Sequence, residues 1–427
     1  RRRYSDFHSL RINLLKFFPT KIIPLIPEKH SFKDIINRSD NRDNLIIDFR
    51  KRKFNNFLKY LNNDDDIRSC IIFQKFIDPD ERVWLEVLQY APFTLLPSNL
   101  LLSSPSNPTG ANPYYSYLSI PPVGSLKSFD SKLNREIFKP LECKFNNLKM
   151  ELNNLNKISL QIENNLRELV LKKIELGGNF NVFSLFDNNS LVEKIGQSID
   201  SDFINLEIFI KNFIINFKEP LQDLKNQCHV VMNLLTFRKL KEIQLHYFKN
   251  TVLKRQNRTK LLIETENSNS KLSIALKKGA EDSPTIAEAV RRLELKKHKK
   301  INNNIRDNNY NEEYGTRDFY NPENSSIKRR KNPKWKNLFG SSNNTGELGY
   351  LASKNINSMS SAERLNEIVY NIQELGELQK CLTMLTDDLK FLSCEIEKNV
   401  LKEYFKIKFK IFELMKIFEK ILMIYCK

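Results

Sequence analysis

The chain has 427 residues, of which 40% are hydrophobic and 28% charged, and it carries a formal net charge of +18. That is room for two or three domains of ~150 residues each with real cores, and too much charge for a membrane-embedded chain. The cationic excess points to a polyanionic partner, and composition alone does not choose among nucleic acid, an anionic leaflet and an acidic protein.

The first four residues, Arg1-Arg2-Arg3-Tyr4, are followed by no apolar h-region and do not read as a signal peptide; without an initiator Met, the chain is expected to begin inside a domain. Residues 1–90 read as a small α+β unit. A short helix over Ser9–Phe18 carries Leu10, Leu14, Leu15 and Phe18, and a proline-studded turn follows from Pro19 to Pro27. A second helix is predicted from about Asn44 to Leu61 and a third over Asp66–Phe76. Little strand precedes the first helix, so the opening strands of this domain are expected upstream.

Residues 91–129 form a proline-rich linker, expected to be extended and stiff. Beyond it, residues 130–427 read as helical. Leu141, Phe145, Leu148, Leu152, Leu155, Ile158, Ile162, Leu166 and Leu169 fall at steps of four and three, a heptad-like seam. Gly177-Gly178 is expected to break or kink that helix. A second helix is predicted over about Ser190–Glu266, bent at Pro220, and periodicity returns from Leu365 to the C-terminus. The final apolar stretch, Tyr404–Cys426, holds five lysines, which argues against a membrane span and for burial by partners. Between the last two helices, about 267–357 loses periodicity. From Arg291 to Lys336 it holds 14 Lys/Arg against 6 Asp/Glu, a mobile basic insertion. Its Lys328–Lys331 and Lys334-Trp335-Lys336 clusters pair cations with aromatics and suit a membrane interface, a nuclear-import or RNA-binding stretch, or a solvated loop. Three long amphipathic helices cannot each bury a seam within one thin chain, which implies a bundle and a dimer.

Enzymatic chemistry finds no support. The five histidines (His8, His30, His229, His246, His298) are isolated, and no Gly-rich phosphate loop or GxSxG is present. Cys228-His229 lacks any sign of a nucleophile–base pair. The six cysteines show no CxxC spacing, which argues against zinc or a disulfide framework and for a reducing compartment. No cofactor or metal is expected. The cations near the start are more informative. Residues 1–60 hold 15 Lys/Arg against 6 Asp/Glu. A phosphorylated inositol ring calls for a guanidinium on phosphate, an aromatic face beneath the ring and a further cation. Arg3-Tyr4, Lys29 after the Pro24–Pro27 turn, and Arg50 in the run Arg50-Lys51-Arg52-Lys53 are candidates, against the alternative of a generic basic surface.

Arg-Arg-Tyr-Ser-Asp-Phe at 2–7, Pro-Leu-Ile-Pro-Glu-Lys at 24–29, and Arg50 before an aromatic helix, in that order, resemble a PX domain over residues 1 to about 85. The resemblance implies that Arg3 holds the 3-phosphate of phosphatidylinositol 3-phosphate and that Tyr4 stacks under the ring. It also implies that Lys29 meets the phosphate joining ring to glycerol and that Arg50 binds the ring hydroxyls at positions 4 and 5. The helical half resembles the BAR domains of sorting nexins. Glu175–Leu185, Glu219-Pro220-Leu221, Phe237–Lys241, Leu95–Asn99 and Asn107-Pro108-Thr109 look like a fungal subgroup of that family, the sorting nexin-41 and autophagy-related protein 20 branches, between which the sequence does not decide. The implied architecture is a partial α+β PX domain followed by an all-α, antiparallel long-helix BAR-type bundle that dimerises.

The implied role is peripheral attachment to the cytosolic face of endosomes and pre-autophagosomal membranes, in cargo retrieval to the Golgi and selective autophagy, with a sorting nexin-4-like heterodimer partner or a second copy. Lys239, Lys241, Lys254, Arg255 and Arg258 are candidates for a cationic membrane face, or for an ordinary solvated one. Rival readings are a coiled-coil protein scaffold without lipid recognition and a nucleic-acid binder; the latter is disfavoured because no recognisable module is present.

Overall fold

The computed structural model describes residues 2–28, 40–122, 124–187, 190–285, 287–292, 295 and 355–425. Helix α1 (Tyr4–Phe17) begins after Arg3, whose extended backbone lets the Asp6 carboxylate accept the Arg3 N–H at 2.8 Å. The turn that follows is fastened to α1 by two side chains: the Arg11 guanidinium donates to the Pro24 carbonyl at 2.7 Å, and the Tyr4 hydroxyl donates to the Pro27 carbonyl at 2.9 Å. Helices α2 (Asp40–Asn62), α3 (Asp65–Ser69), α4 (Ile71–Ile77) and α5 (Glu81–Val87) complete this part. Its core is aromatic. Phe7 stacks on Phe54 at 4.0 Å, and an edge-to-face chain runs through Phe76, Trp84 and Phe93. Among the described residues this region contains no strand, so the expected α+β character is met only in its helical half.

Asp64 starts α3 by accepting the Asp66 and Ile67 N–H groups, each at 3.2 Å, and it also pairs with Lys21. Burial pushes its carboxyl up, but the Lys21 ammonium and the two N–H groups outweigh this, so its pKa is lowered. A lowered carboxylate stabilises the fold above the unfolded value of about 3.9, and that gain is lost as pH falls through the folded value. Asp64→Ala should therefore cost about 1–2 kcal/mol at pH 7, mostly through the cap. In urea unfolding, the gap to wild type should close below about pH 4; a gap that persists unchanged there would contradict this role.

The linker is not a free spacer. It makes three short 3₁₀ turns, and its backbone is held by buried polar groups. Lys241 Nζ donates to the Leu101 and Ser103 carbonyls at 3.0 and 3.1 Å, Gln244 donates to the Ser119 carbonyl at 2.9 Å, and the Tyr115 and Ser104 hydroxyls both donate to Asp388. Pairing of these backbone carbonyls lets parts of a proline-rich segment, such as Leu101, Ser103 and Tyr115, lie buried.

After the short helix α6 (Ser125–Ser128) come α7 (Lys139–Asp187), α8 (Ser190–Phe213), α9 (Glu219–Asp282) and α10 (Ser361–Tyr425). Two wide π-turns, Asn134–Phe138 and Ile214–Lys218, stand immediately before Pro140 and Pro220. Each proline has no N–H to give, and the widened i→i+5 pattern accommodates the break at the expected Pro220 site. Gly177-Gly178, in contrast, is passed without interruption by α7. Gly177 gives clearance: a Cβ there would lie 3.2 Å from Ile199 Cγ2, and one on Gly196 would run into Asn181, so Gly177 and Gly196 let α7 and α8 approach closely, whereas Gly178 faces open space. Helix α9 also extends to Asp282, sixteen residues beyond the point where periodicity fades.

The chain divides into two compact units, Arg1–Tyr247 with Thr383–Lys427, and Phe248–Leu382. In the first, contacts Lys173–Asp202, Lys218–Glu163 and Asn156–Gln222 run in opposite directions along α7 and the α8–α9 rod, which are therefore antiparallel. Gln227–Glu403, Arg238–Ser393 and Lys241–Asp388 give the same result for α9 and α10. The core joins Phe138, Leu141, Phe145, Leu152, Phe213, Phe217 and Leu221 to Leu392, Ile396, Val400 and Ile407. In the second unit, Arg255–Glu374, Arg258–Glu367 and Glu266–Arg364 pair the two helices, again antiparallel, around Leu262, Met359 and Ile368.

The seam is only half covered. Leu141, Phe145 and Leu152 are buried, with Leu148 and Leu155 packed against them, whereas Ile158, Ile162 and Leu169 are exposed. Helix α10 likewise exposes Phe405, Phe409 and Phe412.

Candidate functional site

The site is built at the mouth of the α1–α2 pair. Arg2 and Arg3 are neighbours in sequence with different work. Arg2 donates to the Phe76 and Asp78 carbonyls at 3.0 and 2.6 Å and lies over the Phe76 ring, so it closes the C-terminal end of α4. Arg3 is exposed, and among the described residues no side chain or carbonyl holds its guanidinium. Tyr4 is fixed from two sides, by its hydroxyl on Pro27 and by the edge of its ring against Phe54 at 6.0 Å. Arg50 reaches in from α2, its guanidinium carbon 5.9 Å from the centre of the Tyr4 ring and its Nε buried with no hydrogen-bond acceptor. Such an N–H is costly unless something accepts it. The structure therefore brings Tyr4 and Arg50 together beside the turn, with Arg3 exposed as the residue before Tyr4. Lys29, the fourth candidate, lies outside the described residues.

The basic run at 50–53, one feature in the sequence, splits in space. Arg50 turns to Tyr4. Arg52 grips Glu219 through two N–H groups at 3.1 and 2.6 Å, and Lys53 donates to the Glu219 carbonyl and the Asp223 carboxylate. Hydrogen bonding to Glu219 raises the Arg52 pKa. Sequence reasoning also missed Arg11, because its partner is a backbone carbonyl; a basic residue facing a proline turn was the only available signal.

The candidate cationic face does not survive. Lys241 is buried at 1% exposure, Arg255 and Arg258 are engaged by Glu374 and Glu367, and of the five only Lys254 is well exposed, with Lys239 half-buried. Helical periodicity placed these residues on a helix but not on its solvent side. The Lys328–Lys336 clusters lie outside the described residues. Cys228 is fully buried, and burial, with the Glu403 charge, pushes its thiol up to about 12, so it is no nucleophile at neutral pH. Among the described residues no group of His, Cys, Asp and Glu is arranged to hold a metal, and no helix is long and apolar enough to cross a membrane.

In this region an arginine and a tyrosine lie in contact beside a fastened proline turn, on short helices that precede long antiparallel ones. Residues 1–80 match the PX domain family. The chain is similar to fungal sorting nexins: it is 34% identical over 316 residues to sorting nexin-41 of Eremothecium gossypii, covering 69% of this chain and 52% of that one. Sorting nexin-41 of Kluyveromyces lactis is 35% identical over 312 residues, 68% of this chain and 54% of that protein. Autophagy-related protein 20 of Debaryomyces hansenii is 34% identical over 362 residues, 71% of this chain and 58% of that protein. The chain spans about half the length of the curated relatives it matches.

Proposed function

We propose that this chain is a non-enzymatic peripheral membrane protein that recognises phosphatidylinositol 3-phosphate on endosomal and pre-autophagosomal membranes, in cargo retrieval to the Golgi and selective autophagy. The observation that carries the reading is Tyr4 and Arg50: an aromatic ring immobilised by its hydroxyl on Pro27, with an arginine 5.9 Å over it whose Nε is buried and unpaired, next to the exposed Arg3. Arg3 binds the 3-phosphate, Tyr4 supports the inositol ring, Arg50 holds the 4- and 5-hydroxyls, and Lys29 meets the phosphate that links ring to glycerol. Leu25, between the two prolines and 37% exposed, is placed to enter the lipid beside the headgroup.

The exposed seam residues Ile158, Ile162 and Leu169 and the exposed α10 phenylalanines support a BAR-type dimer, with a sorting nexin-4-like chain or with a second copy. Two headgroup sites on one rigid assembly turn two weak attachments into one strong one through effective concentration. Light-scattering mass of the protein, alone and mixed with a sorting nexin-4-like chain, is expected to show a two-chain particle, and Phe405→Glu with Phe409→Glu to return it to one chain. A single-chain mass in both samples would refute the pairing. The cellular role is tested by a fluorescent fusion in yeast. Its membrane puncta should disperse within minutes of inhibiting phosphatidylinositol 3-kinase; puncta that persist without the lipid would overturn the assignment.

A further inference from the structure

The first unit holds a cavity of ≈ 740 Å³ that contains neither Arg3, Tyr4 nor Arg50 in its wall. It is bounded by the Pro24–Glu28 turn, one face of α2, the start of α9 and the last turns of α10. Its size suits a small-molecule ligand. The cations within it are unevenly used. Lys53 is spent on Glu219 and Asp223. Lys406 and Lys410, one helical turn apart on α10, lie 4.6 and 5.7 Å from the centre of the Tyr60 ring. Tyr60 cannot move away to solvent, because its hydroxyl donates to Glu403 at 3.0 Å. Both lysines are half-buried, and neither forms an ion pair with any described carboxylate. Desolvation lowers the Lys410 pKa, against the pull of Glu403, Asp223 and Glu413. Two partly dehydrated ammonium groups held side by side repel one another, and a ring face offsets only part of that cost. Glu28, Glu413 and Asp223, the last paired with Lys53, also line the cavity, so an anion that enters must be held by the two lysines against this negative charge.

We propose that this cavity is a second anion site that takes a phosphate-bearing group of headgroup size, with Lys406 and Lys410 as its phosphate ligands. The proposal does not depend on the Arg3–Tyr4–Arg50 site.

The test uses the full chain and two probes that separate the sources of phosphate: water-soluble inositol 1,4,5-trisphosphate by calorimetry, and phosphatidylcholine vesicles carrying a phosphatidylinositol phosphate by sedimentation. Lys406→Gln with Lys410→Gln should weaken binding at least tenfold in one or both arms, while Lys51→Gln, at an exposed lysine outside both sites, leaves binding of the soluble probe unchanged. Loss in the vesicle arm identifies a lipid headgroup; loss in the soluble arm alone identifies a free inositol phosphate. Acetylation of lysines in the wild-type protein, read residue by residue by mass spectrometry, covers the case in which the double variant misfolds: the bound probe should shield Lys406 and Lys410 but not exposed Lys51. Undiminished binding of the double variant in both arms, binding in neither arm, or no shielding of the two lysines, would overturn the proposal.

Discussion

Arg238→Ala is expected to destabilise the helical bundle by about 3–5 kcal/mol, the cost of leaving a buried ion without its partner. Arg238 is fully buried. Its guanidinium carbon sits 3.8 Å from the centre of the Phe138 ring, Nη1 lies 2.9 Å from Glu242, and Nε donates to the Ser393 hydroxyl at 3.3 Å. It therefore ties the π-turn before α7 to α9 and α10 at one point. Desolvation lowers its pKa and the Glu242 charge opposes that, so the pair stands or falls together. Truncation removes the packing of the long stem as well as the charge. Arg238→Met with Glu242→Leu, which removes both ions and keeps volume, should recover much of the loss. Urea unfolding of the three proteins measures this; a loss below about 1 kcal/mol for Arg238→Ala would mean the ion pair is not a fastening of the bundle.

The second large effect is on lipid affinity. Arg50→Gln should weaken binding to vesicles containing phosphatidylinositol 3-phosphate roughly tenfold to a hundredfold, as expected when a charge-assisted hydrogen bond worth ~1.5–3 kcal/mol is lost. Lys51→Gln, the adjacent exposed cation on the same helix, should cost about fivefold at most, the value of one charge near an anionic leaflet. The contrast separates recognition from general attraction. Equal losses for the two variants would assign Arg50 to a diffuse basic surface instead. Because the Arg50 Nε has no protein acceptor to lose, the variant is expected to unfold at the same urea concentration as the wild type within experimental error.

The proposed headgroup residues could be named from the sequence because each signal is local: Arg3 adjoins Tyr4, the turn is spelled by its prolines, and Arg50 precedes an aromatic helix face. The long helices were legible from their four-and-three spacing. What the sequence hid depends on partners far along the chain. Arg2 and Arg3 look alike until the carbonyls of Phe76 and Asp78 claim one of them. Lys241 reads as a surface cation, and only the linker's carbonyls, well over a hundred residues away, reveal it as buried. Gly177-Gly178 reads as a break on helix propensity, which costs ~1 kcal/mol per glycine. The close approach of α8 gives the glycine a packing purpose that propensity does not contain. The α+β expectation was read from residues 1–90 as well as from family likeness, and among the described residues only its helices are present.

The most direct test compares binding of the wild-type chain to two sets of vesicles matched in charge and curvature, one containing phosphatidylinositol 3-phosphate and the other its 4-phosphate isomer. A guanidinium cluster built around a single ring position is expected to bind the first at least tenfold more tightly. Equal affinity for the two isomers would contradict headgroup recognition by Arg3, Tyr4 and Arg50.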